Sequence, residues 1–275
     1  MKTVTVAREP EYSPNMASDD AAILEAVSRQ LQARGAETIQ ANGDSLPPDT
    51  DAVCHMSRSK NTLMRLKELE KQGITVINST AAVENCSRQP MMQRLQEAGI
   101  PQPAFTIIDR QTALESLGYP AWIKRAHGWS CHKNDISYAA NASEAAAAVR
   151  EMSSRGIVAM IHCRHIEGDI IKFYGIGRRF FHYSYPDPEK SKFGLERING
   201  APHRYPFSLE SMKEIVFAAA EALGLEIYGG DGIVGSDGSI SVIDMNDFPS
   251  FSSVREDAAR EIAVYMTEKI NNKNI

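Results

Sequence analysis

Tyr228-Gly-Gly-Asp-Gly-Ile-Val-Gly-Ser-Asp-Gly-Ser-Ile-Ser-Val-Ile-Asp-Met-Asn-Asp-Phe-Pro249 reads as a β-hairpin with acid on both arms. The first arm is apolar around Asp231. The turn Ser236-Asp237-Gly238-Ser239 has the chemistry of a tight reversal, and the second arm runs through Val242-Ile243 into Asp244 and Asn246. Antiparallel arms would set two carboxylates and an amide side by side. Asp237 and Gly238 are turn residues. Asp231, Asp244 and Asn246 are not so easily assigned to a turn, because uncompensated carboxylates beside a buried strand are costly. Hard oxygen donors grouped in this way suit Mg²⁺, which takes one or two carboxylates together with phosphate oxygens and water. The stretch therefore points to a metal–nucleotide enzyme, set against the plainer reading of polar residues near a loop.

Upstream of the hairpin the chain changes character twice. Residues 2–8 alternate as a strand, and residues 18–34 have helical spacing, with Ser18-Asp19-Asp20 as N-cap candidates and Gly35 at the C-cap. Strands at 36–41, 51–56 and 74–78 with a helix at 62–72 complete a small α/β layer with parallel strands, ending near residue 85. A helix at 88–98 then runs into the rigid connector Ile100-Pro-Gln-Pro103. Strands at 104–109, 121–126, 135–140 and 157–163 surround an alanine-rich helix at 144–150 capped by Asn141 or Ser143, an α+β pattern. Strands at 169–176 and 179–185, a polar loop at 186–206, a helix at 208–223 between Ser208 and Gly224, the hairpin, and a helix at 254–270 close the chain. The expected division is 1–85, 86–165 and 166–275. A loop as long as 186–206 within a compact unit is often a functional lid.

Composition narrows the class. The 275 residues suffice for a substantial core, and 43% hydrophobic with 24% charged residues is ordinary for a soluble globular chain. The formal charge of −5 argues against a nucleic-acid partner. Cys54, Cys86, Cys131 and Cys163 form no Cys-x-x-Cys pair, so free thiols in a reducing cytoplasm are expected rather than zinc or redox chemistry. No signal-peptide core and no apolar run of membrane-spanning length occurs, so no membrane association is expected. The sequence leaves open whether the protein forms an oligomer.

Lys124 lies within the apolar strand Ala121-Trp-Ile-Lys-Arg125, where it must either reach water or meet an anion. The following loop, Ala126-His-Gly-Trp-Ser-Cys-His-Lys-Asn134, offers Gly128 and Ser130 as a phosphate cradle, although it is not a Walker A sequence. His127 and His132 lack zinc spacing; each is either a solvated loop histidine or a phosphate contact and proton donor. Ile161-His-Cys-Arg-His-Ile-Glu-Gly-Asp-Ile-Ile-Lys172 joins two units like a hinge, with Asp169 and Lys172 as cleft candidates or solvated strand residues.

In order along the chain, Arg88–Leu95 with Gly99-Ile-Pro-Gln-Pro103, Ala121-Trp-Ile-Lys124, Ile166-Glu-Gly-Asp-Ile-Ile-Lys172, Asp231 and Asp244-Met-Asn246 resemble the ATP-grasp superfamily over most of the sequence. The resemblance implies an ATP-grasp fold of mixed α/β and α+β class: a small N-terminal α/β domain and two α+β subdomains clasping ATP. It implies that Arg88 contacts ATP phosphates, that Lys124 reaches the α-phosphate and approaches adenine, and that the 127–133 loop closes over the phosphates. Cys163, Arg164 and His165 would hold adenine by main-chain groups, Asp169 the ribose, and Asp231, Asp244 and Asn246 one or two Mg²⁺ ions, with Mn²⁺ as an alternative. The hinge departs from the Gln-Glu or Glu-x opening of many relatives, since it reads Ile161-His162-Cys163.

Two branches of the superfamily compete. Ligases similar to the ribosomal-protein glutamate ligases activate a carboxylate as an acyl phosphate for attack by an amine; Lys172 or Arg255 would orient that carboxylate, and the partners would be small-molecule or peptide acids and amines. Inositol tris/tetrakisphosphate kinases have an ending similar to Asp244-Met-Asn-Asp-Phe-Pro249, and there His132 or an aspartate would assist an attacking alcohol. Lys190, Lys192, Arg197, His203 and Arg204 would supply the extra positive charge of a polyphosphate site, or simply a solvated loop. The ligase is favoured because that chemistry is commoner in the superfamily. A catalytically silent nucleotide-binding protein on the same fold is the remaining alternative.

Overall fold

A computed structural model describes residues 1–43, 45–47, 49–108, 117–187 and 194–273. The N-terminal unit contains β1 (Lys2–Val6), α1 (Ala17–Gln32), β2 (Glu37–Ala41), β3 (Ala52–His55), α2 (Lys60–Lys71) and β4 (Thr75–Ile77), and its all-parallel sheet has the order β2-β1-β3-β4. Helix α1 begins one turn earlier than its acidic residues suggest. Met16 occupies the N-cap without a side-chain bond, Asp19 and Asp20 sit in the first turn, and Asp20 is buried with its Oδ2 accepting from Ser13 Oγ at 2.6 Å. Gly35, at φ +83°, ends the helix with Ala36 N donating to Leu31 O, as a left-handed terminal residue permits.

A short helix, α3 (Thr80–Asn85), which the sequence pattern does not reveal, precedes α4 (Arg88–Glu97). The second sheet comprises β5 (Phe105–Ile108), β6 (Ala121–Arg125), β7 (Ile136–Ala139) and β8 (Met160–Arg164), antiparallel in the order β5-β8-β6-β7, with α5 (Ala142–Ser154) packed on it. Helix α5 is longer than the alanine run because Asn141 accepts from Glu144 N and starts it earlier. Residue 109, the end of the expected strand 104–109, lies outside the described residues.

The third sheet is also antiparallel, in the order β10-β9-β11-β12, from β9 (Asp169–Ile176), β10 (Phe180–Ser184), β11 (Ile227–Val234) and β12 (Ile240–Asp247). Helix α6 (Leu209–Leu223) packs against α4, with Ser208 accepting from Ser211 N and Gly224 at φ +74° as its caps. Helix α7 (Arg255–Lys273) packs along α1, so Ile262, Ala263 and Met266 share one core with Ile23, Val27 and Leu31. Buried Asn78 fastens the N-terminal sheet to the third. Its Nδ2 donates to Ile227 O at 2.7 Å, and its Oδ1 accepts from the amides of Glu226 and Ile227 at 2.8 and 2.9 Å. Among the described residues, no helix is long and apolar enough to cross a membrane.

Candidate active site

The two antiparallel sheets and loops of the N-terminal unit enclose a cleft of about 600 Å³, and the floor of this cleft is the hairpin with its neighbour β9. Strand alternation points Ile170, Lys172 and Tyr174 into the cleft and the residues between them into the core. In register, Lys172 opposes Asp231, and Asp231 opposes Asp244 on its other side. The ladder shifts at that point: Gly232 pairs with Val242, so Ile243 is the extra residue of a bulge, and both Ile243 and Asp244 reach the cleft. Asn246, two residues beyond Asp244, lies on the same face opposite Gly229. Lys172 Nζ is 3.0 Å from Asp231 Oδ1, and Arg88 Nη1 is 3.7 Å from Asp244 Oδ1. Each acid of the pair is thus matched by a cation, which relieves the repulsion between them.

Lys124, on β6, forms the opposite wall and is only 8% exposed. Burial pushes its pKa down and Arg88 adds to that, against Cys163, Asp244 and Asp231, which raise it. Among the described residues it makes no ion pair closer than 4.0 Å, so an ammonium is held in the cleft without a contacting counter-charge. The Cys163 thiol is pushed up by burial, though Lys124 and Arg88 pull it down, and it serves as a packing residue rather than a nucleophile.

The loop after β6 is stitched to the start of α4. Gly128 N donates to Ser87 Oγ at 3.2 Å, Gln89 N to Ala126 O at 2.9 Å, and Arg88 Nη2 to Ser130 Oγ at 3.0 Å. Trp129 reaches across to the N-terminal unit, edge-on to Tyr12 at 5.6 Å and beneath the Arg58 guanidinium at 5.1 Å. At the hinge, Cys163, Arg164 and His165 all line the cleft. The amides of Arg164 and His165 are already committed to Ala104 O and Pro120 O, at 2.9 and 3.1 Å, so an adenine contact through those two amides is not available. Trp122 Nε1 donates to His165 Nδ1 at 3.1 Å, which fixes the proton-free nitrogen of that imidazole.

Three residues picked from the sequence lie elsewhere. Asp169 is on the opposite face of β9 from Lys172, 2% exposed, accepting from the amides of His203 and Tyr205 at 2.7 and 2.9 Å. Burial pushes its carboxyl up, but the amides of Tyr205, His203 and Arg204 outweigh this and hold it below the usual range. Asp169 anchors a loop and does not line the cleft. His132 is exposed, and its Nδ1 accepts from Asn134 N at 3.1 Å, capping a short 3₁₀ turn at Lys133–Asp135. Arg255 pairs with Asp19 at 2.5 Å, joining α7 to α1, and does not line the cleft. Of the basic loop residues, Arg197, His203 and Arg204 do not line the cleft either, while Lys190 and Lys192 lie outside the described residues.

The sequence pattern gave no reason to single out the fourth wall. Arg8 and Arg58 enter the cleft from the loops after β1 and β3. Both stand just beyond the carboxyl ends of parallel strands, where open α/β sheets bind ligands, and that position was the available signal.

No protein-family model matches the chain, and no curated protein does. Solved structures do. The chain aligns with a D-alanine–D-alanine ligase from Bacillus anthracis complexed with ATP at TM-score 0.69 and 13% identity, covering 100% of this chain and 99% of that one. A second structure of that ligase gives TM-score 0.70 at 12% identity, with 100% of both chains covered. A RimK domain protein, described as ATP-grasp, from Sphaerobacter thermophilus gives 0.68 at 18% identity, over 96% of this chain and 99% of that one.

The chain has the ATP-grasp fold. Among the described residues, no group of three or more His, Cys, Asp or Glu side chains is placed to hold a metal ion. The hairpin's donor set is two carboxylates and an amide. That set is too sparse for an all-protein cage, but it fits Mg²⁺, which completes its shell with phosphate oxygens and water.

Proposed function

We infer that the protein is an ATP- and Mg²⁺-dependent ligase that activates a carboxylate and joins it to an amine, releasing ADP and phosphate. The reading is carried by the row Lys172, Asp231, Asp244, with Asn246 beside it, facing buried Lys124 across the cleft. Asp231, Asp244 and Asn246 would hold Mg²⁺, which supplies neutralisation of phosphate charge when bound; Mn²⁺ would fit the same oxygens. Arg88, Lys124, Gly128 and Ser130 would hold the phosphates, and Trp122, Ile166, Ile233 and Met245 would wall the adenine. In the reaction an oxygen of the acid attacks the γ-phosphorus and the bond to ADP breaks. The amine then attacks the acyl carbon, phosphate leaves with the bonding pair, and the nitrogen gives up a proton to water. Fixed cations act here by opposing the charge that develops on the transferred group. Lys172, bonded to Asp231 at the cleft edge, would orient the acid.

The cleft position of these residues supports a nucleotide site, and the likeness of two matched structures, both of a D-alanine–D-alanine ligase, supports the acid–amine reading. The kinase reading is weaker, because Arg197, His203 and Arg204 stand outside the cleft. Hydroxylamine trapping tests the ligase: ADP release with hydroxamate formation from an added acid is expected, and phosphate transfer to an alcohol without hydroxamate would contradict it. Asp244→Asn should lower Mg²⁺-dependent ADP release by about a hundredfold or more while the protein stays folded.

A further inference from the structure

Arg8 and Arg58 are built into the cleft more firmly than a solvated wall requires. Arg58 Nε donates to Asp247 Oδ1 and Oδ2 at 2.9 and 3.2 Å, and its Nη2 to Oδ1 at 2.5 Å. Arg8 Nε donates to Met56 O at 3.2 Å, and its Nη2 to the carbonyls of Asp247 and Phe248 at 3.0 and 2.7 Å. Each guanidinium is therefore oriented from one side, and both grip the residues that directly follow Asn246. Their Nη1 groups are different: among the described residues neither donates a hydrogen bond, neither is a fully buried unbonded atom, and both arginines line the cleft. Arg8 Nη1 forms an ion pair with Asp20 at 3.6 Å, without a hydrogen bond. Tyr12, Ser13, Ser252 and Ser253 line the same end of the cleft.

We propose that the acid substrate carries a second carboxylate, which is not activated, and that the Nη1 groups of Arg8 and Arg58 hold it. This deepens the ligase reading and rests on it. The cluster's own charges indicate the class of anion. Asp20 and Asp247 already face the two arginines, and Glu9 is turned to Ser57 Oγ and the amides of Arg58 and Ser59. A carboxylate adds a single negative charge, and those acids would repel a phosphate dianion about twice as strongly. Planar guanidinium groups also match planar carboxylate oxygens. Burial first, and then repulsion from Arg58, pushes the Arg8 pKa down to about 10, while Asp247, Asp20 and Glu9 oppose that shift.

The test uses the full chain saturated with Mg²⁺ and a non-hydrolysable ATP analogue, titrated calorimetrically with succinate and glutarate and with butyrate and pentanoate as monocarboxylates of matched length. At least one dicarboxylate should bind about tenfold or more tighter than its match. Arg8→Gln should abolish that preference with analogue binding unchanged, and Arg8→Lys, which keeps the charge and loses the fork, should keep part of it. Should Arg8→Gln fail to fold, Arg8→Lys decides. Equal binding, no binding of any acid, or a preference that survives Arg8→Gln overturns the proposal. Failure of the ligase reading looks different: the dicarboxylate binds selectively, yet no hydroxamate forms from it.

Discussion

Asp231 and Asp244 stand directly opposite each other across adjacent antiparallel strands, and a bulge begins at the very next rung. Directly opposed like charges destabilise a sheet, so this pairing persists because Lys172 and Arg88 neutralise it from either side. The bulge turns Ile243 and Asp244 both toward the cleft, where simple alternation would admit one of them.

The close approach of the strands at this pair is testable at Gly230. A Cβ there would lie 2.2 Å from the Asp244 carbonyl oxygen and 2.6 Å from Phe173 Cζ. Gly230→Ala should cost about 1–3 kcal/mol, read as a lower urea midpoint at unchanged slope, and should weaken Mg²⁺-nucleotide binding by displacing Asp244. Gly232→Ala is the control, since its nearest contacts would be 3.3 and 3.4 Å and its stability should change little.

Lys124 should show a conflict between stability and function. Its folded pKa lies below the ordinary 10.5, mainly through burial. Between the two values the unfolded chain binds more protons, so stability rises with pH across that window. Lys124→Met should raise the Tm at neutral pH by a few degrees, flatten the alkaline rise, and increase the KM for ATP about tenfold or more. Thermal melts across pH with ADP-release kinetics check both halves. An unchanged ATP dependence would leave Lys124 a strand residue only.

The buried Arg58–Asp247 pair should matter for folding independently of any ligand. Arg58→Met leaves the Asp247 carboxylate, 1% exposed, without its partner and should cost about 3–5 kcal/mol in urea unfolding. Combining it with Asp247→Leu should recover much of that loss, because an apolar pair replaces an ionic one.

The hairpin and Lys124 were legible in the sequence because a charge on an apolar, alternating strand is conspicuous and its contacts are set by nearby register. Asp169 has the same appearance one residue out of phase, and what distinguishes it is a pair of amides from residues 203 and 205, which strand periodicity does not report. Arg255 pairs with Asp19, far away in the chain, and strand periodicity does not report that contact either. Arg8 and Arg58 are not legible in the sequence, because loop arginines are ordinarily solvated; only the packing of β12 against the N-terminal unit, through Asp247, makes them walls of the cleft.

The most direct measurement is anomalous diffraction from crystals grown with Mn²⁺ and a non-hydrolysable ATP analogue. An anomalous peak among Asp231, Asp244 and Asn246 is expected, with their oxygens at ligand distance and analogue phosphates completing the shell beneath Lys124 and Arg88. Bound nucleotide with no peak at those three side chains, or a peak elsewhere in the cleft, would contradict the assignment.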